Sequence, residues 1–368
     1  MIRFITLCLF LCVGLTASPE TTIYLRSTVS NQSGQPAIGP VAEPQSREVN
    51  GTTFREGVSS NAGMAVSVLA ALNPQGTVSA SGNVRQNIAP DPSMGGEKNA
   101  PCPSLGCGRE LSDLKSGTYT ITSAGLSRKY IISIPENYDK DTPYRLIFGM
   151  HMMGGNMETV ANMNYYGLKT YADQDNVPVI FVAPEGNSDR TPWRVNDDKD
   201  HVFFADMLKL FKEKLCVDTS RVFCCGFSYG AMVTYSLSLD FQKDLRAVAC
   251  YAPANWNIYL PENTHEPIAF FSTTGTEDFL CKYVNSDEKK EGGKYCVLTH
   301  LADNGCSIPD TLPTAADATH VSTEFQGCKD GFPVIFGSFK GSHSMNEKDP
   351  GSDINWIAKE TWDFFMRF

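Results

Sequence analysis

The sequence predicts an α/β domain with a mostly parallel central sheet flanked by helices, and two observations carry that reading. Strand-like and helix-like apolar patterns alternate over residues 102–368. Several of the strand candidates are unbroken apolar runs, the pattern expected of strands covered on both faces. Taken in order, Thr118 to Ser123 and Lys129 to Pro135 read as an opening hairpin, followed by a strand at Arg145 to Met150 (RLIFGM). A helical pattern over Met157 to Gln174 leads to a strand at Val179 to Pro184, and a second, over Asp200 to Leu215 with Asp200 as its cap, leads to Arg221 to Cys225 (RVFCC). A helix from Ala231 to Asp240, strands at Ala247 to Tyr251, Ile268 to Thr273 (IAFFST) and Pro333 to Phe339, and a last helix from Asp353 to Phe365 complete the series. In such sheets ligands bind beyond the carboxyl ends of the strands, so those loops are where chemistry is sought.

The chain has 368 residues, and its 31 Lys and Arg against 41 Asp and Glu leave a net charge of −10, which disfavours nucleic acid as a partner. Residues 1–18 combine Arg3, an apolar run from Phe4 to Leu15, and small residues Ala17 and Ser18, the layout of a secretory signal. The run is short of the roughly 20 residues a membrane span requires, and no later stretch could span, so a secreted, extracellular protein without a membrane partner is expected. Removing that segment takes Cys8 and Cys12 with it and leaves ten cysteines, enough for up to five disulfides whose pairing the spacing does not reveal. No C-x-x-C pair is present, and the adjacent Cys224 and Cys225 would face opposite sides of a strand, so a zinc site is disfavoured and no metal is expected. Residues 19–101 are rich in Ser, Gly, Asn, Pro and Gln and carry the sequons at Asn31 and Asn50. They read as a flexible or glycosylated arm, since such a composition cannot bury enough surface to offset its ordering entropy. An accessory carbohydrate-binding module is the rival reading, but only Tyr24 and Phe54 could serve as its aromatic platforms. Residues 102–368 are read as the α/β domain.

After RVFCC comes Gly226-Phe227-Ser228-Tyr229-Gly230, and a helical pattern follows at once. This is G-x-S-x-G in a strand, turn, helix context, the nucleophile elbow of the α/β-hydrolase fold, where the glycines permit a tight turn and close helix approach so that the Ser228 hydroxyl projects at the sheet edge. A serine hydroxyl is hardly ionised at neutral pH, so it needs an imidazole to take its proton and a carboxylate to hold that imidazole's tautomer. The expected chain order is Ser, acid, His. Of the three histidines beyond IAFFST, His343 lies in Gly341-Ser342-His343-Ser344, just after the last strand. His300 and His320 lie in a Cys-rich insertion and are read as surface residues. The acid is sought in Thr274-Gly275-Thr276-Glu277-Asp278; Glu277 and Asp278 both qualify chemically, and Asp303 is a third candidate. A tetrahedral intermediate also needs backbone N–H donors, worth about 3 kcal/mol each. The Tyr229 amide is one, and Met152 or Met153, in the loop His151-Met152-Met153-Gly154-Gly155-Asn156, supplies the other; His151 itself is read as a structural loop residue.

Together GFSYG, TGTED, GSH and HMMGGN resemble the secreted carbohydrate esterases of family 1, most of all the fungal feruloyl esterases of types C and D, with acetyl xylan esterases and polyhydroxybutyrate depolymerases sharing the pattern. The likeness covers residues 102–368. Resemblance to G-x-x-D loops in these hydrolases places the orienting carboxylate at Asp278. The sequence departs from the family where Met152 replaces a frequent glycine after the histidine, and where Thr274 replaces a histidine that commonly precedes the acid-loop glycine. The resemblance implies a serine esterase that releases ferulate or related hydroxycinnamates from cell-wall arabinoxylan, without metal or organic cofactor. A monomer is expected. Trp193, Trp256 and Phe279 follow strand ends and are the candidate lining of an apolar acyl slot, with the loop Asn187 to Asp200 opening toward the same face. Acetylated xylan or a polyester is the alternative substrate. A secreted binding protein that keeps the scaffold without turnover is the alternative of another class.

Overall fold

The computed structural model describes residues 101–111, 114–188 and 190–368, together with the backbone of four short strands between residues 45 and 66. The expected signal segment and both sequons lie outside the described residues. The chain divides into two units, Met1–Asn87 and Ile88–Phe368. In the first, β1 (Gln45–Val49) pairs antiparallel with β2 (Thr52–Glu56), and β3 (Ser59–Asn61) with β4 (Met64–Val66). The rest of the predicted arm is outside the described residues.

The second unit is an α/β-hydrolase domain built on one nine-stranded sheet. Its strands are β5 (Gly117–Ser123), β6 (Leu126–Ser133), β7 (Tyr144–Met150), β8 (Val179–Pro184), β9 (Val217–Phe227), β10 (Ala247–Tyr251), β11 (Ala269–Gly275), β12 (Val321–Glu324) and β13 (Val334–Phe339). Their order is β12-β13-β11-β10-β9-β7-β8-β6-β5. The six strands from β13 to β8 run parallel, while β12 at one edge and the β5–β6 hairpin at the other are antiparallel. The apolar runs behave as two-sided burial requires: every residue of β8, β10 and β11 is buried, whereas β5 alternates toward solvent at the edge.

The helices are α1 (Met157–Asn162), α2 (Leu168–Asp175), α3 (Lys199–Lys214), α4 (Tyr229–Leu237), α5 (Gly293–Asp303) and α6 (Trp356–Phe365). Ring contacts assign them to the two faces of the sheet. Phe148 packs on Phe204 and Phe211 of α3, and Phe270 on His300 of α5, on the face where Cys224 meets Thr234 of α4. Phe223 and Phe271 meet Phe365 and Phe364 of α6 on the other face, where α2 packs against α6.

Three sequence expectations are corrected. The single helix over 157–174 is broken in two, because Asn164, Tyr165 and Tyr166 have φ of 51°, 53° and 63° and Gly167 follows at 87°, a left-handed run that no α-helix can pass through. Asp200 is not a cap: Asp198 holds that position, and the buried Asp200 carboxylate pairs with Arg128 at 2.8 Å. The Cys-rich insertion contributes α5 and the edge strand β12, so His300 is buried and His320 is partly buried rather than free on the surface. His320 lies between Asp349 (2.7 Å) and Glu360 (2.9 Å), its ring stacked on Trp356. His300 is 1% exposed, its Nε2 against the Ser238 hydroxyl at 2.8 Å.

Burial pushes the His300 imidazole down to about 4. Between that value and the ordinary histidine range near 6.5, the unfolded chain binds a proton that the folded one refuses. Stability is therefore lost as pH falls through this window, by up to about 3 kcal/mol. Chemical denaturation at pH 7 and pH 4.5 is expected to show a shallower acid loss for His300→Gln than for the parent protein; equal losses would exclude the assignment.

Candidate active site

Strand β9 ends at Phe227, α4 begins at Tyr229, and the residue between them is Ser228. Its φ of 56° and ψ of −122° are unusual for a residue with a side chain, so the turn holds Ser228 in a strained conformation. Two backbone bonds hold it there: Ser228 N–H donates to the Tyr251 carbonyl (3.0 Å), and Met232 N–H donates to the Ser228 carbonyl (2.9 Å). The flanking glycines serve close packing rather than left-handed geometry. A Cβ on Gly226 would stand 2.4 Å from the Gly230 carbonyl carbon, and one on Gly230 would stand 2.0 Å from the Met150 carbonyl oxygen. The helix can thus sit directly over the ends of β7 and β9.

Strands β11 and β13 are parallel neighbours, and beyond their paired ends Gly275 and Phe339 the two chains stay in contact. Thr276 N–H donates to Phe339 O and Glu277 N–H to Gly341 O, both at 2.9 Å, and a Cβ on Gly275 would meet Ser342 O at 2.3 Å. This close approach brings the acid loop against the histidine loop. Asp278 Oδ1 accepts the N–H groups of Leu280 (2.8 Å) and Cys281 (2.9 Å), which leaves Oδ2 for His343 Nδ1 at 2.6 Å. The Asp278 side chain is fully buried there, whereas Glu277 is exposed and Asp303 pairs instead with His265 at 2.7 Å. The His343 ring packs 4.6 Å from the Phe227 ring, one residue before Ser228.

The loop after β7 is braced from behind. His151 is 1% exposed; its Nε2 accepts Gly186 N–H (2.8 Å), so its Nδ1 carries the proton and donates to Met152 O (2.9 Å). Burial lowers its pKa, in keeping with a neutral structural histidine. Trp193, expected in the acyl slot, is in the core at 1% exposure, its indole N–H donating to His151 O at 2.9 Å. The Asn187 to Asp197 segment surrounds a cavity of about 280 Å³ lined only by its own residues, among them Asn187, Trp193 and Arg194. Of the other two expected aromatics, Trp256 is half-buried and Phe279 is 68% exposed, next to Leu280 at 51%.

Sequence reasoning passed over two features. The first is Cys281, whose thiol lies beside the Ser228 side chain while its N–H holds Asp278; burial, reinforced by Asp278, pushes that thiol up to about 12. Its position three residues after Asp278 was the available signal. The second is another Ser, His, Asp set: His201 lies 2.9 Å from Asp240 and 2.8 Å from the Ser236 hydroxyl. Ser236 is fully buried inside α4 and donates its proton to the Tyr259 carbonyl, so this set braces α3 against α4 and offers no nucleophile.

No protein-family profile matches the chain. It is 29% identical over 279 residues to feruloyl esterase D of Neurospora crassa, covering 73% of this chain and 92% of that one. To a bifunctional acetylxylan esterase/xylanase of Neocallimastix patriciarum it is 25% identical over 160 residues, 43% of this chain and 22% of that one. Among solved structures, a ferulic acid esterase from Anaeromyces mucronatus in complex with ferulic acid aligns with 72% of this chain and 95% of its own, at 14% identity and a TM-score of 0.47. The identity reaches 32% over 268 residues with a probable feruloyl esterase C of Aspergillus clavatus, 72% of this chain and 90% of that relative, and the chain accordingly belongs to the feruloyl esterase family.

Proposed function

We propose that the protein is a secreted serine esterase that releases ferulate or related hydroxycinnamates from feruloylated plant cell-wall arabinoxylan through an acyl-enzyme, with Ser228 as nucleophile, His343 as proton shuttle and Asp278 as its orienting partner. The observation that carries the reading is the strained Ser228 at the end of β9, next to Phe227, whose ring packs on a histidine held at 2.6 Å by a buried carboxylate. Asp278 accepts the proton-bearing Nδ1 of His343, which leaves Nε2 as the basic nitrogen. As Ser228 Oγ attacks the ester carbonyl, Nε2 takes its proton and then returns it to the departing sugar oxygen; water repeats the sequence to free the acid.

The charge that develops on the carbonyl oxygen falls to backbone amides. The Tyr229 amide, first in α4, has no intrahelical acceptor to satisfy and lies at the positive end of the helix. The second donor is the amide of Met152 or Met153, in the loop that His151 and Trp193 hold from behind. Support for an aromatic acyl group comes from the apolar side chains left exposed on the same loops, Met153 (53%), Phe279 and Leu280. Secretion is supported by two disulfides, Cys107–Cys216 and Cys306–Cys328, and among the described residues no helix is long and apolar enough to cross a membrane.

The deciding measurement is kcat/KM on methyl ferulate, p-nitrophenyl acetate and polyhydroxybutyrate. A preference for methyl ferulate is the expected result. A preference for the acetyl ester would move the substrate to acetylated xylan, the reading favoured by the Neocallimastix likeness, and turnover of none would leave a binding protein on a hydrolase scaffold.

A further inference from the structure

Two disulfides are formed among the described residues, and Cys281 and Cys296 are both buried thiols, 5% and 0% exposed. The segment after Cys281 is hydrogen-bonded to the first turn of α5, which carries Cys296. Gly293 N–H donates to Lys282 O at 3.1 Å, and Lys294 N–H donates to Tyr283 O at 2.9 Å. Gly292 is so close to this segment that a Cβ there would stand 2.6 Å from Tyr283 O. Cys281 is one residue from the first of these bonds. Cys296 lies one helical turn beyond Gly293 on the buried side of α5, with its thiol in the electrostatic field of Cys281. These bonds set the residue after Cys281 against the helical turn that precedes Cys296, the neighbourhood from which a disulfide with its Cα spacing of about 5.5 to 6 Å can close.

We propose that Cys281 and Cys296 form a third disulfide in the mature protein, which ties the acid loop to α5. The two S–H bonds break and one S–S bond forms, releasing two protons. The two electrons reduce a low-molecular-weight disulfide, the oxidant class of a compartment in which Cys107–Cys216 and Cys306–Cys328 persist. The rival partner for Cys296 is Cys250, whose thiol also lies in the electrostatic field of Cys296; it sits within β10 between β9 and β11, however, and no backbone hydrogen bond joins it to α5 as the segment after Cys281 is joined. A Cys281–Cys296 bridge has a function that a bridge to Cys250 would lack, since the Cys281 N–H is one of the two that hold Asp278 Oδ1. That catalytic meaning rests on the proposed role of Asp278; the bond itself does not.

The test is a disulfide map of the secreted full-length protein, alkylated with iodoacetamide in denaturant without reductant. Trypsin leaves Cys250 and Cys281 together on the peptide 247–282, so digestion with Glu-C must follow, cutting after Glu262 and Glu277 to separate them. A further Asp-N cut before Asp303 parts Cys296 from Cys306, and the expected species then joins residues 278–282 to residues 295–302 and disappears on reduction. Recovery of Cys281 or Cys296 as the alkylated thiol, or of Cys296 joined to the peptide that carries Cys250, would overturn the proposal. The map reads the bond whether or not the same preparation hydrolyses methyl ferulate, so failure of the bridge and failure of the esterase reading are separate results.

Discussion

Ser228→Ala is expected to lower kcat on methyl ferulate by at least about 10,000-fold, the scale on which loss of a serine nucleophile acts. The residual rate would be that of oxyanion stabilisation and binding alone. Thermal stability should stay close to that of the parent protein, because Ser228 is held by its backbone bonds to Tyr251 and Met232 rather than by its side chain. Relief of the positive φ is not expected, since alanine has the same backbone preferences as serine at 56°. A fluorophosphonate probe gives the complementary readout: it should label the parent and Ser236→Ala, whose hydroxyl is fully buried, and leave Ser228→Ala unlabelled. Labelling of Ser228→Ala, or turnover within tenfold of the parent, would remove Ser228 from the mechanism.

Asp278→Asn is expected to cost about 10,000-fold in kcat with little change in KM, by analogy with the loss of the corresponding carboxylate in serine hydrolases. The side chains have the same shape, so the bonds from Leu280 and Cys281 N–H to Oδ1 can persist. What changes is the atom facing His343 Nδ1, 2.6 Å away: an amide NH₂ there donates instead of accepting. The imidazole must then carry its proton on Nε2 and can no longer receive one from Ser228. Glu277→Gln is the control, because Glu277 is exposed and its side chain does not contact His343; its kcat should remain within about twofold of the parent. Equal losses in both variants would mean that the loop as a whole, rather than the carboxylate contact, is responsible.

The legible part of the fold was the part in which burial writes itself into composition. Val179 to Pro184 and Ala247 to Tyr251 are apolar at nearly every position because both faces are covered, and their limits in the sequence and the structure coincide. The break between α1 and α2 was not legible. The pattern over 157–174 stays amphipathic through it, and only three consecutive non-glycine residues at positive φ reveal it. Helix α5 was hidden for another reason: it starts at Gly292-Gly293, glycines required by the close approach of the Tyr283 segment and of Thr274, and glycines read as loop. Trp193 shows the same limit at the site, since an aromatic near a strand end can face a ligand or brace a loop, and only its bond to His151 O distinguishes the two.

By itself the sequence determined which residue types are available and where each stands relative to a strand end: a serine between glycines, carboxylates after one strand, a histidine after another. These are local facts, carried by turn chemistry and apolar periodicity. Only the tertiary structure shows which of Glu277, Asp278 and Asp303 meets His343, because that contact depends on β11 and β13 lying side by side and on Gly275 letting the Gly341–Ser342 backbone come close. It also separated Ser228 from Ser236, two serines near similar partners, by leaving one hydroxyl partly accessible at a strained turn and burying the other against a carbonyl. Contacts between residues 65 apart in the chain, such as Asp278 and His343, arise from strand order, and strand order leaves no mark on local sequence.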